Sequence, residues 1–170
     1  MQSVCLYRMA SKKKVSPIPK GYHTVTPGLA VRNAAQAIEF YKKAFGAKEK
    51  ARMYGPDGKT IMHAEIKIGD SQIMLGEEMP QMNHLSPQSL NGTPVNFHVY
   101  VRDVDKVFNR ALKAGATVTM PVMDAFWGDR YGQVMDPFGH KWGIATRKRN
   151  VSAKEMKKAA EESFAQQAKQ

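Results

Sequence analysis

"VRNAAQAIEFYKKAFGAK" (residues 31–48) and "VRDVDKVFNRALKAGATV" (residues 101–118) are passages of one chain, and aligning them decides the fold. Val-Arg-Asn meets Val-Arg-Asp, and Lys43-Ala44 meets Lys113-Ala114. After a one-residue slip, Gly46-Ala47 meets Gly115-Ala116, so the offset is seventy residues. Two copies make a duplicated supersecondary unit rather than a solenoid.

Each copy predicts a helix. Asn33 and Asp103 are suited to cap it, because a short side-chain oxygen can accept an orphan backbone N–H. Ala34, Ala37, Ile38, Tyr41 and Phe45 recur at helical spacing, as do Val104, Val107, Phe108, Ala111 and Leu112. Gly46 and Gly115 stop the two helices.

Outward from the helices the period falls to two. In "VTPGLAV" (25–31), Val25, Leu29 and Val31 share a face, and in "NFHVYVR" (96–102) Phe97, Val99 and Val101 do. Asn96, His98 and Tyr100 share the opposite face. Three further strands follow each helix: "KEKARMYG", "TIMHAEIKIG" and "DSQIML", then "TVTMPV", "DRYGQVM" and "HKWGIAT". The expected architecture is α+β, with tandem βαβββ modules forming a curved mixed sheet whose concave face is not the helix-packed one. A C-terminal helix is added, opened by a Ser152/Glu155 capping box. It should dock through Ala153, Met156, Ala160 and Phe164 on its own domain or on a partner. The segments read as a basic N-terminal arm (1–21), a first module (22–80), a linker and surface loop (81–94), a second module (95–150) and the tail helix (151–170).

Charge separates the tails from the domain. The net charge of +11 comes mostly from residues 1–21 and 147–170, leaving +2 in residues 22–146. With no aromatic interleaving and no reading motif, nucleic acid is not an expected partner. The single cysteine, Cys5, excludes an internal disulfide. No apolar run reaches the ~20 residues of a membrane helix. The opening "MQSVCLYRMASKKK" lacks the features of a secretory signal, and its first eight residues read as an upstream extension. A cytoplasmic protein is expected.

Three groups of residues are candidates for chemistry. His63 and Glu65 share one face of a strand, opposite Ala64, Ile66 and Ile68. His98, with Asn96 and Tyr100, lies on the open face of the other module. In "FWGDRYG" (126–132), Trp127 and Arg130 stand where a pocket mouth would lie, and an Arg beside aromatics suits an anionic or planar ligand. An ion pair of Arg130 with Asp129 or another carboxylate would instead fix the loop. "DPFG" (136–139) is a tight turn, and His140 bounds that hairpin.

The doubled unit, with "AIEFYKKAFGA", "HAEIKIGDSQIML" and "WGDRYGQVMDPFGHKW", resembles the glyoxalase/bleomycin-resistance/dioxygenase superfamily, also called vicinal oxygen chelate. It is most similar to a subgroup known as demethylubiquinone-methyltransferase-like or phosphonate-operon proteins. The likeness runs from Gly21 to Arg149 and is specific for fold, whereas one fold hosts many chemistries. The resemblance implies metal ligands on the first and last strand of each module. Here it aligns Thr26, Met74, Asn96 and Gly143 there, none a good ligand; a slip of two residues would bring in His98. The expectation is a homodimeric, metal-free and cofactor-free protein that binds a small molecule in a concave cavity through His98, Arg130, Trp127, Asn96, Tyr100, His63 and Glu65. The alternative is a metal-dependent lyase, isomerase or dioxygenase, with Fe, Zn, Mn or Ni held by His63, Glu65 and His98. Methyl transfer has little support, since no Gly-rich nucleotide loop follows a strand.

Overall fold

The computed structural model describes residues 15–167. The first module runs β1 (Gly28–Val31), α1 (Ala34–Phe45), β2 (Lys48–Tyr54), β3 (Ile61–Ile68) and β4 (Ser71–Glu77). The second runs β5 (Asn96–Tyr100), α2 (Val104–Lys113), β6 (Thr117–Asp124), β7 (Asp129–Met135) and β8 (Lys141–Arg147), and α3 (Ala153–Gln167) ends the chain. Each module forms its own four-stranded sheet, ordered β1-β4-β3-β2 and β5-β8-β7-β6. The helix carries the chain across the sheet, so β1 lies parallel to β4 and β5 to β8, and the hairpins make the other pairs antiparallel. The mixed sheet expected from the sequence is therefore two hydrogen-bonded sheets of four strands.

Local signals act as read. The Asn33 carboxamide oxygen accepts from Gln36 N at 3.2 Å and the Asp103 carboxylate from Lys106 N at 3.0 Å. Gly46 ends α1 at φ 69°, a conformation that costs a residue with a Cβ. The Ser152 hydroxyl and Glu155 carboxylate close their capping box in both directions. The apolar stripes of α1 and α2 are buried and the two helices touch, joining the modules in one core with Leu29, Ile66, Val134, Trp142 and Ile144.

A polar knot crosses that core. The Asp136 carboxylate is buried and accepts from Tyr41 Oη and Trp142 Nε1, both at 2.8 Å, and from the backbone N–H of Phe138 and His140, both at 2.9 Å. Burial, with Asp136 alongside, pushes the Tyr41 hydroxyl well above the usual phenol range.

The start of β1 differs from the expectation. Val25 does not share the strand face with Leu29 and Val31; it is 82% exposed and β1 begins only at Gly28. Pro27, which brings no N–H to a ladder, ends the irregular lead-in, and its carbonyl accepts from Met74 N at 2.9 Å. Residues 81–94 form a mostly exposed surface loop that is pinned at its middle. Glu78 takes hydrogen bonds from Ser86 N, Ser86 Oγ, Ser89 Oγ and Arg32 Nε, and Ser86 is fully buried. Among the described residues, helix α3 has no extensive contact with another helix or strand of its own chain, which favours the partner as its dock; Phe164 of the expected stripe lies outside the described side chains. Among the described residues, no helix is long and apolar enough to cross a membrane.

Candidate functional site

In β7, Gly132 and Val134 face α2, so Asp129, Tyr131 and Gln133 face away from it. In β5, Phe97 and Val99 pack on the core, which turns Asn96, His98 and Tyr100 to the same open face. The register then builds a platform. His98 lies beside Gly143, and Gly143 beside Gln133. Tyr100 lies beside Ala145, and Ala145 beside Tyr131. A Cβ on Gly143 would come within 2.8 Å of the Tyr131 ring, so only glycine lets that ring lie across β8.

Aromatic rings cover the platform. His98 stacks on Tyr131, centroids 5.6 Å apart and planes within 10°, and Tyr100 leans on His98 at 4.8 Å. Trp127 meets Tyr131 edge-on at 5.7 Å, and Phe126 meets Trp127 at 5.0 Å. Polar groups brace the rings from beneath. Tyr100 Oη donates to the buried Asp129 carboxylate at 3.0 Å, Gln133 Nε2 donates to Tyr131 Oη at 3.3 Å, and Thr119 Oγ1 donates to Gln133 Oε1 at 2.9 Å. The bond to Asp129 raises the Tyr100 hydroxyl above its ordinary value, so it stays protonated. Tyr100 is 66% exposed, and Met120 and Met123 lie exposed along the same face. The result is a wide aromatic and thioether surface able to stack a flat molecule.

His98, Tyr100 and Trp127 are thus brought together, and Tyr131 and Gln133 were missed. The alternation of "DRYGQVM" carried the signal, since placing Val134 inward places both outward. Asn96 sits at the margin, where its amide nitrogen, oriented to donate, reaches Lys141 O at 3.1 Å.

Arg130 is displaced from the expected mouth. It lies on the helix side of β7, and its guanidinium pairs through two 2.8 Å bonds with Asp105 of α2 and through a 3.2 Å bond with Asp124. Asp129, the partner suggested by sequence adjacency, is taken by Tyr100. Because neighbours on a strand point to opposite faces, Arg130 and Tyr131 cannot serve one surface, and the hydrogen bonds from Arg130 hold Asp105 below the usual carboxylate range.

His63 and Glu65 occupy the open face of the first sheet, 3.3 Å apart. A hydrogen bond from Tyr22, in the arm before β1, lowers the Glu65 carboxyl, with His63 contributing less. His98 belongs to the second sheet. Among the described residues of one chain, no three His, Cys, Asp or Glu side chains gather as a metal site. The His63, Glu65 and His98 set is therefore not assembled within a single chain. The positions that the resemblance assigns to ligands also shift: Met74 lies beside Gly28 and Gly143 beside His98, not beside Thr26 and Asn96. One imidazole, one thioether and two glycines do not fit a divalent metal.

A family model described as the Glyoxalase/Bleomycin resistance protein/Dioxygenase superfamily matches residues 22–144. An uncharacterized protein of Mycobacterium tuberculosis is 49% identical over 138 residues, covering 79% of this chain and 81% of its own. The solved structure of a gene product of Arabidopsis thaliana superposes with a TM-score of 0.59 at 26% identity, covering 73% of this chain and 98% of its own. TioX from Micromonospora sp. ML1 superposes with a TM-score of 0.57 at 27% identity, over 72% and 97% of the two chains.

Proposed function

This chain belongs to the Glyoxalase/Bleomycin resistance protein/Dioxygenase superfamily, and on that premise we propose that it binds a small planar molecule against the second sheet without a metal centre. The observation that supports this reading is the aromatic platform in which the exposed His98 and Tyr100 lie over the buried Tyr131 ring, beside the half-buried Trp127, seated on a glycine where a ligand residue would have to stand. Stacking on such rings contributes about 0.5–1.5 kcal/mol per pair beyond the area buried. The braced hydroxyls limit the ordering cost of binding.

The same reading includes a homodimer. Both open faces expose large apolar side chains, Met53 on the first sheet and Met120, Met123 and Tyr100 on the second. Surfaces of this kind mark association sites. A second copy that set its first sheet opposite this platform would close the cavity and bring His63 and Glu65 to its polar end. The proposed setting is the cytoplasm.

Binding is tested with fused-ring heteroaromatics, quinoline and acridine, followed by tryptophan fluorescence. Affinity that drops about ten-fold in Tyr131→Ala and in Trp127→Phe supports the platform; affinity untouched by both refutes it. Elemental analysis of protein purified without chelator tests the metal-dependent alternative. Stoichiometric Fe, Zn, Mn or Ni that survives dialysis and is lost in His63→Ala and His98→Ala would overturn the metal-free reading.

A further inference from the structure

Between the linker and the two modules lies a cavity of about 560 Å³ that takes no part in the aromatic platform. Its apolar lining includes Leu29, Leu85, Leu90 and Phe97, and its polar lining Asn83, His84, Thr93 and His140. Phe97 is on the opposite face of β5 from His98, so the two sites are separated by the thickness of the second sheet.

The wall is fixed before any ligand arrives. Glu78 holds Ser86 and Ser89, Gln88 Nε2 donates to Pro137 O at 3.0 Å, and Pro87 presses so closely on the turn that a Cβ on Gly139 would lie 2.8 Å from it. A cavity of this size, mostly apolar and with few polar groups, has the make-up of a small-molecule site.

His140 is the polar group that demands an explanation. Its side chain is 7% exposed, and among the described residues Nδ1 is buried without a hydrogen-bond partner and no bond engages Nε2. Asp136 Oδ2 is 3.7 Å from Nδ1, too far for a hydrogen bond. The tautomer that turns its N–H toward this carboxylate carries the proton on Nδ1 and leaves Nε2 as an acceptor. A ligand matched to this site supplies a donor to Nε2 and an apolar body to the remaining wall. The Phe97 ring, 6.1 Å from the imidazole, adds an aromatic surface. We infer that the linker cavity is a second binding site, for a small phenol whose hydroxyl donates to His140 Nε2.

The test titrates p-cresol, toluene and p-methylanisole into the full chain, following the ring nitrogens of the histidines by NMR, with His140 assigned by elimination from single Gln variants of His23, His63, His84 and His98. p-Cresol should bind about ten-fold more tightly than the ether, the worth of one hydrogen bond of about 1.4 kcal/mol. It should shift the His140 Nε2 resonance. His140→Phe should erase the preference, and Tyr131→Ala should leave it unchanged, which separates this site from the platform. Equal affinities for phenol and ether, cresol binding with no change at His140, or a preference that survives His140→Phe would each overturn the inference. If His140→Phe does not fold, the discrimination and the position of the imidazole shift in the unmodified protein decide it.

Discussion

Replacing Asp136 tests whether the polar knot between the modules holds them in one core. In Asp136→Ala, Tyr41 Oη and Trp142 Nε1 lose their acceptor inside a region closed to water, since both residues are fully buried. An orphaned buried donor costs about 1–3 kcal/mol, and the Phe138 and His140 amides lose the other oxygen as well. The variant should lose on the order of 3–5 kcal/mol in urea unfolding, a fall of roughly 10 °C in melting temperature for a domain of this length. Asp136→Asn should fall between. Its carbonyl oxygen can keep one pair of donors, and the Tyr41 hydroxyl can turn to accept from the new amide. Trp142 Nε1 is a donor only and stays unpaired. Adding Tyr41→Phe to Asp136→Ala removes one orphan, so the double variant should lose about 1 kcal/mol less than the two single losses predict. If Asp136→Ala loses less than about 1 kcal/mol, water or rearrangement satisfies these donors and the reasoning is wrong.

Arg130→Ala should reduce amide-exchange protection at the start of α2, where Asp105 loses its partner, and leave acridine affinity unchanged; a fall in affinity with α2 unaltered would place Arg130 in the ligand site after all. The Glu78 carboxyl is held at about 2, from an ordinary 4.5, mainly by Ser89, the Ser86 amide and Arg32. A depressed carboxyl stabilises above its unfolded value, so protection of residues 86–90 should be complete above about pH 4.5 and decline toward pH 2, and a Glu78→Gln protein that keeps the same pH profile would refute the latch. Deleting residues 152–170 should leave the melting temperature of dilute protein unchanged, because among the described residues α3 has no extensive contact with another helix or strand of its chain, and weaken self-association by light scattering; a lower melting temperature at every concentration would show that α3 packs within the chain.

Most of the fold was legible because its signals are local. Asn33, Asp103, Gly46 and the Ser152/Glu155 pair each act within four residues of themselves, and strand alternation set Phe97 and Val99 on one face and His98 and Tyr100 on the open one without knowledge of partners. The unread features depend on distance in the chain. Arg130 is satisfied by Asp105, 25 positions away, and nothing in "FWGDRYG" indicates that α2 passes its helix-side face. Residues 81–94 read as linker and surface loop, but Ser86 and Ser89 are fixed by Glu78 through contacts 8 and 11 residues apart, which a local reading does not encode. His140 closed a turn in the sequence and is a buried wall residue in the fold, where Pro87 packs on the Gly139 end of that turn.

The two halves of the duplication diverge at one row of residues, and that divergence explains why only one open face is an aromatic platform. Across the first sheet the register reads Gly28, Met74, Glu65, Ala51. Across the second it reads His98, Gly143, Gln133, Met120. Glycine in the middle of a strand weakens it and is kept where another group must approach closely. At Gly143 that group is the Tyr131 ring, on which His98 stacks in turn. In the first module Met74 fills the corresponding position and its neighbour is the charged Glu65, so no ring can lie flat there. A Gly143→Ala change would push Tyr131 off its seat and remove the support of His98 while leaving every helix-side contact of β8 in place. Loss of acridine affinity with an unchanged melting temperature is therefore the signature of a platform built for binding, and loss of stability alone would mean that Tyr131 lies there to pack.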